Sequence, residues 1–214
     1  ENNMQIIIPM SGFGERFRKA GYQIPKPLIL VEGKPIIQHV VEMFSSNDDF
    51  IFICSEEHLD NPSFEMKKIL KSICVNSIII PISPHKLGPV YTVMQAIDLI
   101  DLNKQTIVNY CDFTCYWDYS KFQIFVDDTC ADGVIPSYKG FHPHTLWSSY
   151  YAYLKEEDGL VAGIQEKEPF TNSPDKELAS SGTYYFKTGF MMKKYFQRCI
   201  SEKTLVNNEY YVSM

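Results

Sequence analysis

A chain of 214 residues is long enough to bury a sizeable core, and a hydrophobic content of 45% argues against disorder. The formal net charge of -6 disfavours nonspecific nucleic-acid binding, so any phosphate site must be a local cluster of cations on an acidic background. No apolar run approaches the roughly 18 residues a membrane span requires, and no basic flank with an apolar stretch suggests a signal peptide.

Residues 5–8 (Gln-Ile-Ile-Ile) predict a buried strand. The chain then runs through Pro9 and Met10 into Ser11-Gly12-Phe13-Gly14-Glu15-Arg16, a glycine-bearing loop with a cation at its end. Glycine lets backbone N–H groups approach an anion closely, and Arg16 and Lys26 add fixed positive charge to the same place. The loop is not a dinucleotide fingerprint, since Phe17 stands where the third glycine belongs, and no Gly-Lys-Ser/Thr makes it a Walker A loop.

Pro25-Lys26-Pro27-Leu28 and Glu32-Gly33-Lys34-Pro35 follow. Apolar residues at 36, 37, 40, 41 and 44 predict a helix over 35–46 with Pro35 in its first turn. Residues 50–54 read as a buried strand, 56–73 as a helix interrupted by Pro62, and 76–81 as a third strand. A helix over 91–100 and a strand over 105–110 complete a βαβαβαβ order, which predicts a mostly parallel sheet with helices on both faces.

After Asp112 aromatic residues become dense, and 131–138, 148–155, 160–166 and 182–186 read as β-prone, with a last helix over 190–201. We expect one domain over residues 1–214, with a first half (4–112) that holds the sheet core and a second half (113–214) of added antiparallel strands. The six cysteines (54, 74, 111, 115, 130 and 199) have no Cys-x-x-Cys spacing and read as free thiols of a reducing cytoplasm.

Residues 4–35 resemble the N-terminal signature of the sugar-phosphate nucleotidyltransferases, or sugar nucleotide pyrophosphorylases. That signature is a hydrophobic strand, a Gly-x-Gly-x-Arg loop, Pro-Lys-Pro-Leu and Gly-Lys-Pro. The resemblance extends from Gln5 to about Tyr211 and implies an α/β, Rossmann-like (GT-A-like) fold. It implies attack of a phosphate oxygen on the α-phosphorus of an NTP, with pyrophosphate as leaving group. Such a nucleophile is already an anion, so no activated Ser or Cys is required and catalysis rests on positioning and charge neutralisation.

On that resemblance Arg16 and Lys26 grip the triphosphate, and Met10, Ser11, Gly12, Phe13 and Gly14 hold phosphates and base. His85-Lys86-Leu87-Gly88-Pro89 is similar to the segment in which a glycine lies by the base, so Leu87 and Gly88 join the nucleotide set; the segment also reads as a plain helix-start loop. Mg²⁺ is the implied cofactor, and Asp112 its ligand. The residue ends an apolar strand at the carboxyl edge of the sheet, where open α/β folds bind ligands, although a turn aspartate is the simpler reading.

Glu166 and Lys167, in a motif resembling Glu-Lys-Pro with Glu168 inserted, are expected to hold the acceptor phosphate and hydroxyls; a charged hairpin exit is the alternative. Gly182 belongs to a stretch like Gly-x-Tyr-x-Phe that lines the same pocket or is a buried strand. His142-Pro143-His144 lacks a third metal ligand and is read as acceptor-binding or as a surface loop. Glu209 is the expected second metal carboxylate, with Val212 standing where the family places an Asp; the alternative is that Asp112 alone holds the metal.

The substrates expected are an NTP, with CTP ahead of dTTP, and a sugar phosphate or other small phosphorylated acceptor. Neither nucleic acid nor membrane is expected as a partner, and a homo-oligomer stays open. The expected setting is cytoplasmic synthesis of surface polysaccharide precursors such as capsule. Two other readings remain: a nucleotide-binding subunit without turnover, motivated by Val212, and a GT-A-type glycosyltransferase. The second is disfavoured because Asp112-Phe113-Thr114 is not Asp-x-Asp.

Overall fold

The computed structural model describes residues 3–140 and 151–214. Its main sheet is built on β1 (Gln5–Met10), whose six residues are all buried. Ile6 and Ile8 face one side and Ile7 the other, so both faces must be covered. β1 lies between β4 (Asp49–Ser55) and β6 (Thr106–Asn109), both parallel to it, and β5 (Ile78–Ile82) extends the sheet beyond β4. On the other edge β12 (Thr183–Phe186) runs antiparallel to β6, and the short β7 (Gly133–Val134) pairs antiparallel with β12. The order is therefore β5-β4-β1-β6-β12-β7, mostly parallel with an antiparallel margin.

Helices cover both faces. α2 (Ile36–Val41), α4 (Met66–Ile73) and α6 (Tyr119–Thr129) place Ile37, Val40, Met66, Leu70, Phe122 and Val126 against Ile6, Ile8, Phe50 and Phe52. α5 (Pro89–Gln95) and α7 (Gly189–Ser201) place Val90, Val93, Met192 and Phe196 against Ile7, Ile51, Ile53 and Val108. Each such side chain contributes about 1.5–3 kcal/mol by leaving water, which makes this alternation the largest single reason for the layer order.

A second sheet is wholly antiparallel, in the order β10-β9-β11-β8, formed by β8 (Ser137–Tyr138), β9 (Ala152–Glu157), β10 (Leu160–Glu166) and β11 (Leu178–Ser180). The chain steps from β11 of this sheet into β12 of the main sheet through Ser181 and Gly182. The two sheets are thus joined at the place where the main sheet presents the carboxyl end of β6.

Several elements depart from the sequence reading. The helix expected over 35–46 is regular only to Val41, then tightens, with Met43 and Phe44 N–H donating to Val40 and Val41 carbonyls. The helix expected over 56–73 is broken into α3 (Glu56–Asp60) and α4, as Pro62 suggested. The helix expected over 91–100 starts at Pro89, and a 3-10 turn at 97–99 ends it.

α6 was not expected, because aromatic and β-branched residues crowd this stretch. It forms because Asp118 caps it, accepting from Lys121 N–H at 3.1 Å, and because Phe122 and Val126 fall one turn apart on the buried side. The β-prone run over 131–138 divides into β7 and β8, which belong to different sheets. Of the strand expected over 148–155, the described part begins at Ala152, and 148–150 lie outside the described residues. All six cysteines are free thiols.

Candidate active site

The carboxyl ends of β1 and β6 open into a cleft of about 560 Å³. Residues from five separate stretches line it, within 9–17, 26–27, 85–92, 110–113 and 207–211, together with others that include Glu166, Lys167 and Gly182. One part of its lining starts where β1 stops. Met10, Ser11, Gly12, Phe13 and Gly14 all reach the cleft, and Gly14 takes a left-handed conformation (φ 58°) as the chain enters α1 (Glu15–Lys19).

Three side chains tie this loop to the next. The Ser11 and Thr92 hydroxyls lie 2.7 Å apart, and Thr92 Oγ1 is 2.9 Å from His85 Nε2. Leu87 N–H donates to His85 Nδ1 at 3.0 Å, so Nδ1 is the acceptor and the ring proton sits on Nε2, facing Thr92. Burial pushes the His85 pKa down, which favours this neutral ring. A second tie is the Lys86 ammonium, 2.5 Å from the Glu15 carboxylate and above the Phe13 ring. Gly88 lines the cleft, and a Cβ there would fall 2.8 Å from both N and O of Tyr210. Leu87 acts through its backbone, its carbonyl accepting from Tyr210 N–H at 2.8 Å, and its side chain is not part of the lining.

At the centre Lys26 and Asp112 form an ion pair, each with little more than a quarter of its side chain exposed. Lys26 comes from a 3-10 turn over 26–28 and also sits 4.7 Å from the centre of the Phe17 ring. Arg16 lines the same space from α1. The neighbouring Cys111 thiol is pushed up to about 12 by burial and by Asp112, so it is no nucleophile at neutral pH. Among the described residues no three His, Cys, Asp or Glu side chains gather as a metal cage. Asp112 with Glu209, both on the cleft, supplies one or two carboxylates. That donor set suits Mg²⁺, a hard cation that fills its remaining positions with water and substrate phosphate.

Another part of the lining is made by β10 and the C-terminal stretch. β10 ends at Glu166, and Lys167 follows in a left-handed conformation (φ 60°) that turns its side chain toward Tyr211. Lys167 Nζ donates to the Tyr211 hydroxyl at 2.5 Å and lies over that ring, while the same hydroxyl donates to the Glu209 carboxylate. Ser213 donates to Glu166 at 2.5 Å, and burial holds the Glu166 carboxyl above its usual range. Gly182, at φ 77°, accepts the Phe113 ring so closely that any Cβ would collide with it. Tyr151 meets Phe113 edge to face, with ring centres 5.3 Å apart. His142 and His144 lie outside the described residues.

Thr92, Tyr211 and Ser213 bond the site residues without belonging to a motif in the sequence. Thr92 carries no signal, since one Thr on an apolar helix face reads as core. A signal for Tyr211 does exist. Asn207 and Asn208 both have positive φ (52° and 63°), and Val206 and Glu209 exchange paired backbone bonds of 3.0 Å around them. Asn-Asn is a sequence that such a two-residue turn favours, and the turn folds Glu209 to Tyr211 back into the cleft.

The profile of the nucleotidyl transferase family matches residues 5–207. The nucleoside-diphosphate-sugar pyrophosphorylase of Vibrio cholerae RC9 superposes with a TM-score of 0.73 at 21% identity, covering 97% of this chain and 84% of that one. The inositol-1-phosphate CTP transferase of T. maritima superposes at 0.71 with 15% identity, covering 94% and 75%. In sequence, the bifunctional protein GlmU of Methanocaldococcus jannaschii is 42% identical over 50 residues, which span 23% of this chain and 12% of that protein. The family profile covers nearly the whole chain, and the solved relatives repeat its two-sheet fold: the chain belongs to the nucleotidyl transferase family.

Proposed function

We propose that this protein transfers a nucleoside monophosphate from an NTP to a small phosphorylated acceptor, releasing pyrophosphate. The observation that carries this reading is the convergence, on one cleft, of the glycine loop with Arg16, the Lys26–Asp112 pair, and Glu166–Lys167. The loop N–H groups, Arg16 and Lys26 bind the triphosphate, and Lys26 leaves Asp112 for the phosphates when they arrive. Glu166 and Lys167 hold the acceptor so that a phosphate oxygen faces the α-phosphorus, with the cleft limiting access of water. Asp112, and Glu209 from the turn at 207–208, hold Mg²⁺, which offsets phosphate charge when bound. Among nucleotides we propose CTP first and dTTP second, and among pathways the supply of activated precursors for surface polysaccharide.

A second reading is a nucleotide-binding subunit without turnover. It is favoured by one observation: the Glu209 carboxylate already accepts from the Tyr211 hydroxyl. Thermal unfolding with Mg²⁺ and each of ATP, GTP, CTP, UTP and dTTP, followed by pyrophosphate release with sugar and polyol phosphates, separates the two. A ligand at 100 times its Kd adds about 2.7 kcal/mol, an easily measured shift. A shift with release supports the transferase. A shift without release for any acceptor supports the silent subunit, and no shift with any nucleotide defeats both.

A further inference from the structure

Asn109 ends β6 as a fully buried polar side chain among the apolar residues of that strand. A buried amide must find partners for both its ends, or it costs stability. Its Nδ2 donates to the Tyr110 carbonyl at 2.8 Å and to the Phe113 carbonyl at 3.3 Å. Carbonyl oxygens only accept, so the nitrogen must face them and Oδ1 must face the other way. There Oδ1 accepts from the Thr183 hydroxyl at 2.5 Å. Phe113 N–H closes the same stretch onto the Tyr110 carbonyl at 3.4 Å, and Tyr110 N–H donates to Gly182 O at 3.0 Å. Residues 110–113 therefore form a tight turn with Asp112 at its third position, clamped from inside by one amide.

We propose that Asn109 is the positioning residue for Asp112, and that Thr183 orients Asn109 in turn. The inference rests on the transferase reading, in which the Asp112 carboxylate faces the metal-bound phosphates. Asn109 touches no substrate. It fixes the turn that aims Asp112, and through Thr183 it locks that turn to β12, the strand that begins beside Gly182 at the acceptor end. A leucine of similar size would fill the space but remove the Asn109 donor from the Phe113 carbonyl and leave the Tyr110 carbonyl only the long 3.4 Å bond from Phe113 N–H, so the turn is free to relax.

The test uses the whole chain with Mn²⁺ as the probe, in the presence of the NTP that stabilises the wild type most. Asn109→Asp keeps the shape and removes both donors; Thr183→Val removes the hydroxyl and Thr183→Ser keeps it. We expect Asn109→Asp to weaken Mn²⁺ binding to the nucleotide complex and to lower kcat, each about tenfold or more, with KM for the NTP within twofold. Thr183→Val is expected to show a several-fold loss in the same direction, which Thr183→Ser restores. Should Asn109→Asp fail to fold, the Thr183 pair decides alone. Unchanged Mn²⁺ binding in the folded variants overturns the inference. So does a parallel fall of kcat, nucleotide affinity and Tm that Thr183→Ser does not relieve, since that pattern belongs to packing alone. A wild type that binds Mn²⁺ and NTP but releases no pyrophosphate defeats the transferase reading, while the Mn²⁺ comparison still judges Asn109.

Discussion

Lys26 and Asp112 neutralise each other in the structure, and on the transferase reading each gives up that partner when substrate arrives. Lys26→Met removes a charged donor worth roughly 1.5–3 kcal/mol, and NTP affinity is expected to fall about 10- to 100-fold by calorimetry. The same variant frees Asp112 of its cation, so Mn²⁺ binding without nucleotide is expected to tighten; a loss of both would place Asp112 outside the metal site. His85 makes a pH prediction. Its folded pKa is depressed, so its contribution to stability is complete above the unfolded value of about 6.5 and is lost as pH falls below it through the folded value. A protonated ring has no Nδ1 lone pair for Leu87 N–H. Tm is therefore expected to drop between pH 7.5 and 5.5, with a smaller drop in His85→Gln, as read by thermal unfolding at each pH.

At the scale of elements, two short joints decide the cleft. Gly182 connects the antiparallel sheet to the main one and leaves room for Phe113. Gly182→Ala puts a Cβ into that ring at a φ that favours glycine, and it is expected to cost about 1–3 kcal/mol in denaturant unfolding and to weaken acceptor binding more than NTP binding. α6 depends on Asp118 at its start, so Asp118→Ala is expected to cost about 1 kcal/mol and to leave kcat unchanged, because α6 packs under the sheet and away from the cleft. Equal losses of activity in both variants would mean that the cleft follows overall stability rather than these local joints.

On the whole molecule, the C-terminal stretch is a strap across both halves. Tyr210 backbone groups bond Leu87 and Val90, Val212 N–H donates to the Tyr110 hydroxyl, and Tyr211 and Ser213 reach Lys167 and Glu166. Ending the chain before Val206 would remove the buried Tyr210 and these bonds together. The loss is expected to be at least about 3 kcal/mol, or a Tm lower by roughly 6–12 °C, with loss of both nucleotide and acceptor binding. No helix among the described residues is long and apolar enough to cross a membrane.

The alternation of strand and helix through β6 was legible in the sequence, because apolar periodicity and Gly/Pro punctuation are local signals. The glycine loop and Lys26 were legible for the same reason, as a compact motif. α6 was not, since its Phe and Ile residues favour strands in isolation and only a sheet face beneath Phe122 and Val126 makes the helix pay. The cleft was legible only through the family resemblance, which brings Lys26, Asp112, Glu166, Lys167 and Glu209 to one site; no local signal shows it. Lys26 meets Asp112 across 86 positions and Lys167 meets Tyr211 across 44, and such meetings depend on strand register and turn geometry rather than on neighbours in sequence. Local patterns in the chain settle which chemical groups are present and most of the strands and helices through β6. Which of these groups face one another follows from packing, because the register of β4, β6 and β12 around a doubly covered β1 and the turns that leave them set the distances between groups far apart in the chain.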